Sequence, residues 1–208
     1  LPCLWDQCTS YLTGPCPSAG HMETLTKTEV KKRFDEIINW INKGAIFIYP
    51  TDTIYGIGCI TTNDDSVKKI NQIKQREGKP LSVWVPNKEW ISTNCIIPTI
   101  AEEWLDKLPG SYTFIFNLKD QNVISKNVSK EGTIGVRLPN HWFNNIVSKL
   151  KSPIITTSVN KAGEMFMTDL ENLDPDIQNS VDFLIYEGEK KGKPSKIINF
   201  VTGGNVLR

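Results

Sequence analysis

The chain has 208 residues, of which 39% are hydrophobic and 23% are charged, and its formal net charge at neutral pH is +1. This length is enough for one α/β domain with a substantial core. The composition suits a globular protein, no apolar run approaches the roughly 20 residues of a membrane span, and the near-neutral charge gives no global case for nucleic-acid binding.

Residues 1–21 differ from the rest of the chain. They lack hydrophobic periodicity and carry no basic segment followed by an apolar one, so they do not form a secretory signal. Gly20-His21-Met22 is typical of a cloning junction followed by a start methionine. We therefore interpret residues 1–21 as an expression-vector leader, expected to be disordered, and residues 22–208 as one domain.

An alternative interpretation of residues 1–21 is a small metal-binding knuckle. Cys3 and Cys8 are separated by four residues, but the remaining spacings do not supply the second close pair that such sites use, so no metal site is predicted. Outside it, Cys59 and Cys95 are predicted to be buried, reduced thiols of a cytoplasmic protein. The leader's candidate ligands are Cys3, Cys8, Cys16 and His21.

Helices and strands alternate along the rest of the chain. Thr28 is expected to cap a first helix that Gly44 ends, because apolar residues at offsets of 4, 7, 8 and 11 from Val30 lie on one helical face. Asp64 or Asp65 is expected to cap the second helix. Further helices are predicted over 98–108 and 141–150. Strands are predicted over 45–49, 81–85, 112–118, 133–138, 154–157, 182–186, 195–201 and 205–207.

This alternation predicts a single α/β domain with a twisted, open, mixed or parallel sheet flanked by helices. Residues 187–194, rich in Gly and Lys, are predicted to be a mobile loop rather than a domain linker.

Polar motifs follow several of the predicted strands, where α/β sheets usually bind ligands. Lys74 and Arg76 are separated by one residue, as are Ser158 and Asn160. In extended segments this spacing puts both side chains on one side, so the two pairs together form a sensible cradle for a nucleotide triphosphate. A third polar segment begins at Thr51, after the first strand.

Each motif also has a structural interpretation. Lys74 and Arg76 alone are typical of a solvated helix end, and Ser158 and Asn160 of backbone caps. Arg137 is compatible with a surface position on an edge strand. In addition, residues 51–53 suit a turn, Tyr55 and Phe47 suit the core, and His141 suits the start of a helix better than a catalytic base.

Taken together, these motifs resemble the YrdC family of threonylcarbamoyl-AMP synthases, and the likeness runs over nearly all of residues 22–208. The matching segments are P-T-D-T-x-Y-G at 50–56, K-x-R at 74–76 followed by K-P-L at 79–81, P-G at 109–110, V-R-x-P at 136–139, S-x-N at 158–160, the strand at Ser195 and the final Leu-Arg. Their order and spacing carry the resemblance. The chain departs from the family at Thr157, Lys196 and Asn199, and in the short gap before Lys79.

The resemblance implies a YrdC-like catalytic domain that joins L-threonine, bicarbonate and ATP into threonylcarbamoyl-AMP and pyrophosphate. ATP would be a substrate, with Mg²⁺ held mainly through its phosphates. The partner would be a downstream tRNA threonylcarbamoyl transferase of the Kae/TsaD-type complex in the cytoplasm. Weak tRNA contact is compatible with this activity, and no membrane is involved.

Residue roles also follow from the resemblance. Lys74 and Arg76 would bind the ATP phosphates, and with Thr51 they form the expected catalytic set. Thr133, Ser158, Asn160 and Arg208 would fix the nucleotide. Thr51, Arg137, Thr156 and Ser195 would bind threonine, with bicarbonate between the two substrates.

Two other functions remain open. One is a carbamoyl-adenylate-forming domain of the hydrogenase-maturation type, which shares the fold but resembles a much longer chain. The other is a non-enzymatic RNA-binding module, which predicts tight and salt-sensitive RNA affinity.

Overall fold

A computed structural model of the chain describes residues 22–76, 80–129 and 131–207. The predicted leader with its cysteines, Lys79 and Arg208 lie outside these residues. The strands are β1 Glu23–Thr26, β2 Phe47–Tyr49, β3 Gly56–Gly58, β4 Ser82–Trp84, β5 Cys95–Ile96, β6 Tyr112–Leu118, β7 Thr133–Arg137, β8 Ile154–Ile155, β9 Thr157–Ser158, β10 Phe183–Tyr186, β11 Lys196–Asn199 and β12 Asn205–Val206. The helices are α1 Lys27–Lys32, α2 Phe34–Asn42, α3 Asp64–Ile73, α4 Lys88–Asn94, α5 Glu102–Leu105, α6 Asn144–Leu150 and α7 Pro175–Gln178.

The strands form two mixed sheets. The first has the order β1-β10-β2-β3-β9, and the second has the order β12-β11-β6-β7-β4-β8 with β5 also paired to β6. Parallel pairs such as β10 with β2 and β4 with β7 adjoin antiparallel pairs such as β2 with β3. The predicted α/β class with a mixed sheet is therefore confirmed, and its strands are divided between two sheets.

The two sheets meet where β3 runs into β8. Ile60 and Ile154 form an isolated bridge, and the Ile155 amide donates to the Cys59 carbonyl at 2.8 Å. Gly58 allows this approach, because a Cβ there would lie only 2.1 Å from the Ile155 carbonyl oxygen. The absence of a side chain at Gly58 thus lets the backbone of the first sheet lie directly against β8 of the second sheet.

Aromatic side chains pack against the first sheet. Phe47 stacks on Phe183 with ring centroids 5.0 Å apart, and Tyr49 stacks on Phe143 at 4.9 Å. These rings are fully buried, so their burial contributes a large share of the hydrophobic stabilisation. Cys59 and Cys95 are buried free thiols, as predicted.

The helix starts differ from the predictions. Thr26, rather than Thr28, caps α1, since its hydroxyl accepts from the Glu29 amide while Glu29 reaches back to the Thr26 amide. The predicted single helix over 28–44 is broken at Arg33 into α1 and α2. Asn63 caps α3 in place of either aspartate, because its side chain accepts from the Ser66 amide at 3.0 Å.

The later helices are shorter than predicted. The segment predicted as a helix over 98–108 is a 3₁₀ turn, Thr99–Ala101, followed by the short α5. Strand β6 covers the predicted residues 112–118. Among the described residues, none of the helices has the length and apolar character needed to cross a membrane.

Candidate active site

A cavity of about 390 Å³ is lined by residues of both sheets. It receives side chains from the β2–β3 connection, the segment after α3, the ends of β7 and β9, and the start of β11. Seven of the residues selected from the sequence line it, namely Thr51, Arg76, Arg137, Thr156, Ser158, Asn160 and Ser195. The motifs that are remote in sequence therefore share one cleft.

Thr51 lies just beyond β2 and is 1% exposed. Its hydroxyl accepts from the Thr53 amide at 3.0 Å and donates to the Ile54 carbonyl at 2.7 Å. The segment is therefore a tight turn, as the structural interpretation predicted, and it also presents Thr51 to the cavity. The turn is therefore confirmed, and the role of Thr51 in binding threonine stays a prediction.

Arg137 is the last residue of β7 and its side chain is 8% exposed. Its Nη2 donates to Asp52 Oδ1 at 3.0 Å and to the Thr53 hydroxyl at 3.2 Å. Asp52 also accepts from the Ser111 hydroxyl at 3.0 Å. The guanidinium is thus fixed at the cavity wall by a buried carboxylate, and the surface-edge alternative for Arg137 is wrong.

Ser195 lies at the start of β11 and is 5% exposed. Its hydroxyl lies 2.7 Å from the hydroxyl of Thr113 on β6, and both side chains line the cavity. Thr156 is also buried, and its amide donates to the Ser82 carbonyl at 2.8 Å. Together these residues form a hydroxyl-rich wall on the second sheet.

Lys74 and Arg76 do not lie in an extended segment, which corrects the spacing argument. Lys74 is the C-cap of α3 and Gln75 has a left-handed φ of 49°, so the chain turns between the two cations. Arg76 is half-buried at the cavity wall. Its side chain makes no hydrogen bond or ion pair with another described residue, which leaves its guanidinium available to an anion.

Lys74 has a different environment from Arg76. It is 2% exposed, and its ammonium donates to the Ser158 carbonyl and to Asn160 Oδ1, the latter at 2.9 Å. The Ser158 hydroxyl donates in turn to Asn160 Oδ1. Burial, with a smaller effect of the Arg76 charge, lowers the pKa of Lys74 to about 8. Lys74 therefore organises the S-x-N turn rather than projecting into the cavity.

Thr133 does not line the cavity. It is the first residue of β7, paired with Asn117, whereas Arg137 at the other end of that strand reaches the cavity. Four strand residues span roughly 13 Å, so Thr133 lies well away from Arg137. The role at the nucleotide that the resemblance implies for Thr133 stays a prediction.

Sequence reasoning missed the contribution of Glu187 and Lys190. The Lys190 ammonium donates to the Thr51 carbonyl at 2.9 Å and pairs with Glu187, which also accepts from Trp142 at 2.7 Å. Burial raises the pKa of Glu187, but the hydrogen bonds from Lys190, Trp142 and His141 outweigh it and leave that pKa lowered. No sequence motif includes Glu187 or Lys190, and their contacts with Thr51 and Trp142 join segments that are far apart in the chain.

Comparison with known proteins identifies the family of the chain. The Sua5/YciO/YrdC family model, described as "Telomere recombination", matches residues 39–208. The chain belongs to the Sua5/YciO/YrdC family. The "Putative threonylcarbamoyl-AMP synthase" of Methanocaldococcus jannaschii is 36% identical over 177 residues, covering 84% of this chain and 83% of that protein.

Two solved structures of the Sua5/YciO/YrdC family have the same fold. Sua5 of P. abyssi, complexed with L-threonine, superposes with a TM-score of 0.79 at 23% identity over 90% of this chain. This chain spans only 56% of the length of that Sua5 chain. E. coli YciO gives a TM-score of 0.74 at 22% identity, covering 86% of this chain and 90% of YciO.

Proposed function

We propose that the protein is an L-threonylcarbamoyladenylate synthase, which condenses L-threonine, bicarbonate and ATP. One observation carries the proposal: a single cavity combines a guanidinium without a described protein partner, Arg76, with a second guanidinium held by a buried carboxylate, Arg137. The first suits a polyphosphate, and the second suits the carboxylate of an amino acid. The 36% identity to a protein with this name supports the same assignment.

The chemistry proceeds in two balanced steps. The amine of threonine attacks bicarbonate to give a carbamate and water. A carbamate oxygen then attacks the α-phosphorus of ATP, the bond to the β,γ-phosphates breaks, and pyrophosphate leaves. Neither step needs a protein nucleophile, so the residues act by positioning the substrates and offsetting negative charge.

The residues divide into two groups in this proposal. Arg76 binds the phosphates, and Ser158 and Asn160, ordered by Lys74, contact the nucleotide. On the other side, Thr51 and Arg137 hold threonine against the wall formed by Thr156 and Ser195. Bicarbonate lies between the groups. The roles of Thr133 and Arg208 at the nucleotide remain predictions from resemblance alone.

A magnesium ion fits the proposal as part of the ATP substrate. The described residues contain no cluster of three or more His, Cys, Asp or Glu side chains placed to hold a metal. Mg²⁺ is commonly bound through substrate phosphates and water with little help from the protein. The ion would offset phosphate charge, while this chain's own contribution is the Arg76 guanidinium.

The product of the proposed reaction is a reactive mixed anhydride, which needs a nearby acceptor. We propose that it passes to a tRNA threonylcarbamoyl transferase in the cytoplasm. The partner and the compartment rest on the proposed reaction and on the family resemblance.

One assay tests the proposal. The protein is incubated with ATP, labelled bicarbonate and single amino acids, and pyrophosphate and labelled adenylate are measured. Pyrophosphate release that depends on threonine and bicarbonate supports it. Turnover that depends instead on carbamoyl phosphate would favour a carbamoyl-adenylate-forming domain, and no turnover with tight, salt-sensitive RNA binding would favour an RNA-binding module.

A further inference from the structure

Residues 187–194, which we call the strap, connect β10 of the first sheet to β11 of the second. The strap crosses beside the Thr51 turn and leads into Pro194 and Ser195, which line the cavity. The position of the strap therefore affects both the Thr51 turn and the wall at Ser195. The contacts that hold the strap determine whether these two parts of the cavity are fixed before substrate binds.

Glu187 anchors the first end of the strap. Its carboxylate accepts from Trp142 Nε1 at 2.7 Å and faces His141 Nε2 at 2.9 Å. The Phe143 amide donates to His141 Nδ1, which leaves Nε2 as the protonated nitrogen that donates to Glu187. The Glu187 amide also donates to the Tyr55 hydroxyl at 3.1 Å, and that hydroxyl donates to the Gly188 carbonyl at 2.7 Å.

Lys190 connects this anchor to the Thr51 turn. Its ammonium contacts both the Glu187 carboxylate and the Thr51 carbonyl, the latter at 2.9 Å, and its amide donates to the Thr168 carbonyl at 2.8 Å. An isolated surface pair three residues apart contributes little to stability. Lys190 is only 18% exposed, and it bridges to a backbone carbonyl 139 residues away.

We propose that Lys190 is a positioning residue for the amino-acid substrate. This role rests on the proposed function. Glu187 and Lys190 hold the strap against the Thr51 turn. The distance between Thr51 on one side of the cavity and Ser195 on the other is thereby set to fit a small amino acid. Lys190 acts through Thr51 and the strap and does not touch the substrate. Among the described contacts, Lys190 makes none with Arg76 or Asn160, the residues proposed to bind the nucleotide.

The inference predicts a selective effect on one substrate. Lys190→Met removes the ammonium but keeps much of the side-chain length. Binding of L-threonine should weaken roughly tenfold, because the strap and the Thr51 turn lose the charged hydrogen bond that holds them together before threonine binds, while ATP binding changes less than about twofold. Lys190→Arg retains the charge and should recover most of the affinity for threonine.

The matched control is Lys191→Met. Lys191 lies next to Lys190 in the strap, but its side chain is 81% exposed and pairs with Glu189. Calorimetric titration of each variant with L-threonine and, separately, with ATP gives the two affinities. Hydrogen exchange of the amides in 187–193 and 51–54, measured without ligand, reports on the strap itself. The control should match the wild type in both measurements.

The outcomes separate this inference from the proposed function. Unchanged exchange and unchanged threonine binding in Lys190→Met overturn the inference, as does an equal loss for threonine and ATP, which indicates general damage. A wild-type protein that binds ATP but no threonine overturns the proposed function and the substrate part of the inference. Faster strap exchange in Lys190→Met alone would then still support the link between the strap and the Thr51 turn.

Discussion

The Asp52 carboxylate and the Arg137 guanidinium form an ion pair at 3.0 Å with side chains only 10% and 8% exposed. The two residues are 85 positions apart in the chain. Asp52 follows β2 of the first sheet, and Arg137 is the last residue of β7 in the second sheet. A charge pair so little exposed is costly to break, because the remaining partner loses its counter-charge in a poorly solvated site. The pair therefore links the stability of the fold to the geometry of the cavity.

We expect Asp52→Ala and Arg137→Met each to lower the free energy of unfolding by ~3 kcal/mol, since each leaves a buried charge without its partner. The double variant should lose less than the sum of the two single losses. Urea denaturation of the four proteins measures the coupling. Additive losses would show that the two charges do not interact in the folded protein.

Arg76 is expected to affect activity without affecting stability. Arg76→Ala should raise the KM for ATP by about tenfold or more, because a charged donor to the phosphates is lost, and leave the unfolding free energy within ~0.5 kcal/mol. Steady-state pyrophosphate release and urea denaturation test this. Lys43→Ala is a suitable control, since Lys43 is a cation at the C-terminal end of α2 that is exposed and does not line the cavity. Unchanged ATP kinetics in Arg76→Ala would remove Arg76 from the phosphate site.

The parts of the fold that local patterns specify were predicted well. Strand β6 has the predicted ends, because its run of apolar and aromatic residues suits a half-buried, pleated surface. Strand β3 was missed, since Gly56 and Gly58 have low strand propensity and the strand forms only through its pairing with β2 and β9. The true start of α1 does have a local signal, because Thr26 lies three residues before Glu29, which is the spacing of a capping box.

The site could be predicted only in part for a related reason. Motif order pointed to Thr51, Ser158 and Asn160, and these residues do line one cavity. Periodicity carries no information on which side chain faces which across 85 residues, so the Asp52–Arg137 pair was not foreseen. Lys74 and Arg76 form one motif in sequence but occupy different environments, because the left-handed residue between them turns the chain.

The depressed pKa of Lys74 gives a testable dependence of stability on pH. Burial lowers that pKa from 10.5 to about 8, so between these values the unfolded chain binds more protons than the folded protein. Stability contributed by this group therefore rises with pH across the window and is lost as pH falls through about 8. The difference in unfolding free energy between wild type and Lys74→Met should shift by ~2 kcal/mol in favour of wild type from pH 7.5 to 9.5.

Urea denaturation of both proteins at the two pH values measures this shift. Lys69→Met provides the control, because Lys69 lies on the same helix, is exposed and is absent from the cavity lining. Its difference from wild type should stay constant over the same range. A constant difference for Lys74→Met as well would show that Lys74 keeps an ordinary pKa in the folded protein.

Gly192 tests the position of the strap without changing any charge. A Cβ at this residue would lie 2.1 Å from the Thr53 carbonyl oxygen and 2.8 Å from the Thr53 carbonyl carbon, which are backbone atoms that cannot rotate away. Gly192→Ala must therefore displace the strap from the Thr51 turn. This displacement should lower the free energy of unfolding by ~1–3 kcal/mol, the usual cost of an overpacked contact, and it should weaken L-threonine binding several-fold.

Titration calorimetry with L-threonine and with ATP separates the two substrates in Gly192→Ala. Lys191→Ala, one residue earlier on the same strap, carries a side chain that points to solvent and should bind both ligands as the wild type does. Because Arg76 and Asn160 lie outside the strap, ATP affinity should be retained in both variants. Normal threonine affinity in Gly192→Ala would mean that the close approach of the strap to Thr53 does not set the width of the amino-acid site.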